Sequence, residues 1–120
     1  MDGERFARLV EEAVAELPRK YKRHLQNIAV MVEDRPPEKR GRAAGRSGTL
    51  LGLYHGVPLR QRGAWYGNIP PDVIVIYRES IERIAADDRE LRRIIKETVR
   101  HEIGHYFGLS EAELRTIEDE

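Results

Sequence analysis

The sequence predicts an α+β fold, a small mixed sheet of about three strands packed on about four helices. Three observations point there. Apolar residues recur at helical spacing near both ends of the chain, two short β-rich runs lie between them, and Pro- and Gly-rich stretches separate the runs. The 120 residues are expected to form a single domain, 1–120. A chain of that length buries roughly two-thirds of its unfolded surface around one core.

The first element is an amphipathic helix, because Phe6, Leu9, Val10, Ala13, Val14 and Leu17 follow the spacing that lays one apolar stripe on a helix. Pro18 ends it or opens a short second helix containing Tyr21 and Leu25. His24 falls in this polar stretch and reads as a surface residue. Ile28-Ala29-Val30-Met31-Val32 is an unbroken apolar run closed by Glu33-Asp34, and reads as a buried strand. Arg35 to Gly48, with Pro36-Pro37 and several glycines, reads as a loop. Thr49 to Gly56 reads as a second strand whose glycines mark a bulge or turn. Arg60 to Pro71, holding Trp65, Tyr66 and Pro70-Pro71, is loop again. Val73-Ile74-Val75-Ile76-Tyr77 is the clearest strand of the chain. A short helix through Ile81, Ile84 and Ala85 follows, and Asp87 or Asp88 supplies the N-cap of the last long helix.

Composition narrows the function classes. No apolar run approaches the ~20 residues of a membrane span, so no membrane partner is expected. The N-terminus lacks the basic-then-apolar layout of a signal peptide, and the expected location is cytoplasmic. The absence of Cys excludes a disulfide framework, a thiol nucleophile, an iron–sulfur cluster and Cys-ligated zinc. Any bound metal must therefore take nitrogen or oxygen ligands. The 21 basic and 21 acidic residues cancel, but not locally. Arg35, Lys39, Arg40, Arg42, Arg46, Arg60 and Arg62 stand against Glu38 alone, while the tail carries Glu111, Glu113, Glu118, Asp119 and Glu120 against Arg115. The basic stretch reads as a solvated loop before it reads as a nucleic-acid footprint, since net basic charge and interleaved aromatics are missing.

The chemistry gathers on the long helix. At ~100° per residue, Leu91, Ile94, Ile95, Thr98 and Val99 share one face, Glu102 and His105 continue it, and His101 lies at its edge. Burying such groups without partners costs on the order of several kcal/mol. The residues read His101-Glu102-Ile103-Gly104-His105, or H-E-x-x-H. Imidazoles at i and i+4 sit one turn apart and can hold one metal ion through their ring nitrogens. Glu102 has the reach of a general base that takes a proton from metal-bound water. The run continues Tyr106-Phe107-Gly108-Leu109-Ser110-Glu111, giving H-E-x-x-H-x-x-G-x-x-E. Gly108 suits the left-handed conformation that ends a helix. A chain turning there can bring Glu111 back as a third ligand, with a position left open for water.

Plainer readings stand beside these. Ser110 and Glu113 fit a capping box, in which Glu111 merely favours the positive end of a last helix. His101 and His105 could be satisfied structural histidines, and Glu102 the hydrogen-bond partner of one of them. Glu113 and His55 are further candidates for the third ligand, although His55 first reads as a loop or strand-end residue.

From the helix at Phe6 through Val30-Met31-Val32-Glu33-Asp34, Leu51-Gly52-Leu53-Tyr54 and Pro71-Asp72 to the His101–Glu111 motif, the sequence resembles the small bacterial zincin-like metallopeptidases, long described as a domain of unknown function. The terminal motif is the specific part, and order and spacing support it over nearly the whole chain. The resemblance implies a minimal zincin fold, with a small mixed sheet packed on the active-site helix. It also implies His101, His105 and Glu111 as ligands of one Zn2+ or another divalent ion, and Glu102 as general base. Related motifs often carry Asp where this chain has Glu111. The short stretch after His105 leaves no room for the second subdomain of larger zincins, and Met1 and Met31 cannot form a Met-turn after the site.

The expected function is therefore a zinc-dependent metallopeptidase acting on a peptide or protein through a metal-bound water activated by Glu102. The sheet edge would align the substrate, and Tyr54, Tyr66, His55 or a loop Arg would stabilise the oxyanion. Two alternatives are a metal-dependent endoribonuclease using the basic 35–62 segment and a non-catalytic, metal-stabilised binding protein.

Overall fold

In the computed structural model, which describes residues 3–25, 28–37, 50–56, 72–110, 112, 113 and 115, the most apolar run of the chain lies in the middle of the sheet. Strands β1 (Ile28–Glu33), β2 (Gly52–His55) and β3 (Asp72–Tyr77) pair in the order β1-β3-β2. β1 runs parallel to β3, with Val30 opposite Ile74 and Val32 opposite Ile76. β2 runs antiparallel to β3, with Tyr54 opposite Ile74 and Gly52 opposite Ile76. Because side chains alternate along a strand, Val30, Val32, Ile74, Ile76, Gly52 and Tyr54 share one face. Ile74 and Ile76 on that face are fully buried.

Four helices accompany the sheet: α1 (Gly3–Ala15), α2 (Arg19–Lys22), α3 (Arg78–Ile84) and α4 (Asp88–Phe107). Of the expected stripe, α1 buries Phe6, Leu9, Val10 and Ala13 and half-buries Val14, while Leu17 is buried just past the end of the helix. Pro18 opens a second helix as the N-cap of α2, which holds Tyr21 but ends at Lys22, short of the expected Leu25. α4 packs against α1, α3, β2 and β3, so Leu91, Ile94, Ile95 and Val99 complete one core with α1 and the sheet. Asp87 is the N-cap of α4, its carboxylate accepting the Glu90 N–H at 2.8 Å. No helix among the described residues is long and apolar enough to cross a membrane.

The structure differs from the sequence reading in three further places. The expected buried strand at Ile28–Val32 is an edge strand, half-buried along most of its length, with Met31 48% exposed. An apolar run marks a strand but does not say whether it has one neighbour or two. Ile84 is 46% exposed at the end of α3, and Ala85 lies past the helix as its C-cap. The third difference is in α4, where a single apolar face was expected. Its C-terminal half also buries Arg100, Ile103, Gly104 and Tyr106. The added cover includes α2 and the turn after it: Tyr21 meets the Phe107 ring at a tilt, the exposed His24 meets it edge-on, and the Tyr106 hydroxyl donates to the His24 carbonyl at 3.1 Å. The loop containing Trp65, Tyr66 and Pro70-Pro71, and the Lys39–Gly48 part of the preceding one, lie outside the described residues.

Candidate metal centre

The last three turns of α4 bring His101, Glu102 and His105 together as the i, i+4 spacing requires. The two imidazole rings stand edge to face, with centroids 4.7 Å apart and planes at 79°. A ring nitrogen from each and a Glu102 carboxylate oxygen all lie within 4.8 Å of one another. The imidazoles are half-buried, while Glu102 is only 7% exposed.

That burial comes from β2, which lies unusually close to α4. A Cβ on Gly52 would lie 2.9 Å from Thr98 Cγ2 and 3.2 Å from Glu102 Cγ, so the strand can take this position only with glycine there. The Leu51 carbonyl accepts the Tyr77 N–H at 2.9 Å and thus faces β3. Alternate residues of an antiparallel edge strand turn their main-chain groups outward, which directs those of Gly52 and Tyr54 toward α4. The Tyr54 N–H donates to the Glu102 carboxylate. Burial is the dominant influence on this carboxyl and pushes it up to about 7; the opposing pull of the His101 charge and the Tyr54 N–H does not offset it.

Tyr54 is itself held at its far end. Its hydroxyl donates to Asp72 Oδ2 at 2.6 Å, and its ring meets the edge of Tyr106 at 6.1 Å. Asp72 opens β3 and is 2% exposed. Gly56 crosses so close that a Cβ on it would lie 2.5 Å from Asp72 Cγ. The Tyr54 hydroxyl proton is thus committed to Asp72, and not offered as an oxyanion donor.

Beyond α4 the chain turns at Gly108, which adopts φ 75° and ψ 33°. The Leu109 N–H returns to the Gly104 carbonyl at 3.0 Å and the Gly108 N–H to that of His105 at 2.9 Å, closing the helix as a left-handed cap does. The capping box is present as well. The Ser110 N–H donates to Glu113 Oε1 at 3.0 Å, and the Glu113 N–H donates to Ser110 Oγ at 3.3 Å. Glu113 therefore serves as a cap. Glu111, the expected third ligand, lies outside the described residues, as do Tyr66, Lys39, Arg40, Arg42, Arg46, Arg60 and Arg62. Arg35 pairs with Glu79 at 3.0 Å, and His55 is exposed at the end of β2.

The two imidazoles are nitrogen donors of the kind a divalent ion such as zinc takes, with the Glu102 carboxylate beside them and no sulfur. No other group of three His, Asp or Glu among the described residues converges in this way. Sequence reasoning found these three residues but missed Asp72 as part of the site, and saw Tyr54 only as an oxyanion donor. A main-chain N–H has no sequence signature, although an acid opening an otherwise apolar strand is a usable signal.

Comparison with known proteins agrees with this geometry. The family model for zincin-like metallopeptidases matches residues 25–120, which include the whole sheet and α4. A conserved hypothetical protein from Thermus thermophilus is similar in structure, with 28% identity, a TM-score of 0.60, and coverage of 89% of this chain and 94% of that one. No curated protein matches the chain at a significant level. Since the match extends over most of the sequence and over the helix that carries both imidazoles, the chain belongs to the zincin-like metallopeptidase family.

Proposed function

We propose that this protein hydrolyses peptide bonds in a zinc-dependent reaction. The observation that supports this most directly is the convergence of His101, Glu102 and His105 on one helix beside an edge strand. In this reading His101 and His105 hold the ion through their ring nitrogens, and Glu111 completes the ligand set. Bound there, Zn2+ would supply Lewis acidity, polarising the scissile carbonyl and easing deprotonation of water. Glu102 takes the proton of the attacking water on a carboxylate oxygen and passes it to the leaving amine nitrogen. The Tyr54 N–H orients that carboxylate, and the close cover of β2 keeps bulk water away from it.

The test compares zinc-loaded wild type, Glu102→Gln and His101→Ala in elemental analysis and a peptide-library digest. Glu102→Gln should keep its zinc and lose roughly 10²–10⁴ in turnover, whereas His101→Ala should lose both. Turnover unchanged by Glu102→Gln would sink the mechanism.

A further inference from the structure

We propose that Asp72 is a positioning residue: by holding the Tyr54 hydroxyl, it fixes the strand residue whose main-chain N–H orients the Glu102 carboxylate. Asp72 shares its sheet face with Ile74 and Ile76, both fully buried, and an apolar residue would serve the strand equally well. A carboxylate at 2% exposure is costly to keep there unless its hydrogen bonds are made. Tyr54 pairs with Ile74 across the sheet, which makes Asp72 its diagonal neighbour and puts it within reach of an aromatic side chain. The resulting 2.6 Å bond pins the tip of Tyr54 to the middle strand.

Tyr54 is then restrained at three points: its hydroxyl by Asp72, its ring by Tyr106, and its N–H by Glu102. Tyr106 directly follows His105, so this clamp ties the sheet to the same turn of α4 that carries the second imidazole. Loosening the hydroxyl end lets the β2 main chain drift, and the carboxylate loses its fixed donor. Small misplacements of catalytic groups cost roughly tenfold to hundredfold in rate.

The kinetic part of this inference rests on the peptidase reading, but its structural part does not. The experiment follows the residue-54 amide by 1H–15N NMR, with zinc affinity by chelator competition and, on a cleaved peptide, kcat and KM. Glu102→Gln marks the bond by moving the Tyr54 amide upfield. Tyr54→Phe and Asp72→Ala should move the residue-54 amide the same way and lower kcat roughly tenfold or more, with KM and zinc affinity nearly unchanged. Asp72→Asn keeps an oxygen that accepts the hydroxyl and should restore both readouts. An amide at its wild-type position in Tyr54→Phe, with kcat unchanged, overturns the proposal. Should Asp72→Ala fail to fold, Tyr54→Phe decides. If wild type cleaves no peptide, the peptidase reading fails and the amide alone decides: a shift in Tyr54→Phe upholds the positioning role of Asp72, and no shift overturns it.

Discussion

Burial and a strand N–H act on Glu102 in opposite directions, and burial prevails. With the carboxyl raised from 4.5 to about 7 in the folded protein, the unfolded chain releases this proton first as pH rises. In metal-free protein, the stability associated with the protonated group is complete below pH 4.5 and is lost as pH rises through about 7. Glu102→Gln stays neutral throughout and should be spared that loss. Denaturant unfolding in chelator should therefore show the variant gaining on wild type between pH 4.5 and 8, by on the order of 2–3 kcal/mol. Equal pH slopes for the two proteins would contradict the assigned burial. At this scale the local signals were readable. Asp87, Gly108 and the Ser110–Glu113 box act within four residues of the helix ends they serve. The Tyr54–Asp72 bond joins residues 18 apart through a strand pairing, and nothing in the local sequence announces it.

The closeness of β2 and α4 is what makes the site at the level of elements. Thr98 donates its hydroxyl to the Ile94 carbonyl at 2.7 Å, which helps fix the rotamer that aims its methyl group at Gly52. On the other side the Val75 carbonyl oxygen would lie 3.2 Å from any Cβ at that position. Neither neighbour yields easily, so Gly52→Ala must push the strand outward. It should destabilise the protein by about 1–3 kcal/mol in urea unfolding, and in the zinc-loaded protein should reduce peptide turnover because Tyr54 moves with the strand. Stability and turnover both at wild-type levels would mean that β2 can shift without consequence for Glu102. The strand itself was legible from Thr49 to Gly56, and its place beside α4 was not. A short run with two glycines is compatible with either edge of the sheet.

Taken as a whole molecule, the α4 core joins an amphipathic helix to a three-stranded sheet, with the candidate ligands at the far end of that helix. Asp88 at its beginning pairs with Arg5 of α1, and its carboxyl is held below the usual range by Arg92 and Arg5. At the other end, His101 and His105 hold their geometry only in the folded chain, so an ion bound there stabilises the native state by mass action. Zinc at a hundredfold excess over its Kd contributes about 2.7 kcal/mol, or roughly 10 °C in Tm for a chain of this size. Chelation should reverse that gain in wild type and leave His101→Ala unaffected. A melting temperature indifferent to chelator in both proteins would remove the metal from the account.

By itself the sequence determined the α+β class, the presence and order of the helices, the three strands and the grouping of His101 with Glu102 and His105. Each of these follows from interactions over a few residues: helical spacing, end caps, β-rich runs and an i, i+4 histidine pair. Only the tertiary structure decided that β3 is the middle strand, that β1 is an edge, and that β2 lies against α4. The Tyr54 N–H on Glu102, the buried Asp72 behind it and the raised Glu102 carboxyl all follow from that last contact. Strand order is a property of the assembled sheet, set by which faces bury one another. Residues 52, 54, 72 and 102 meet only once that order exists.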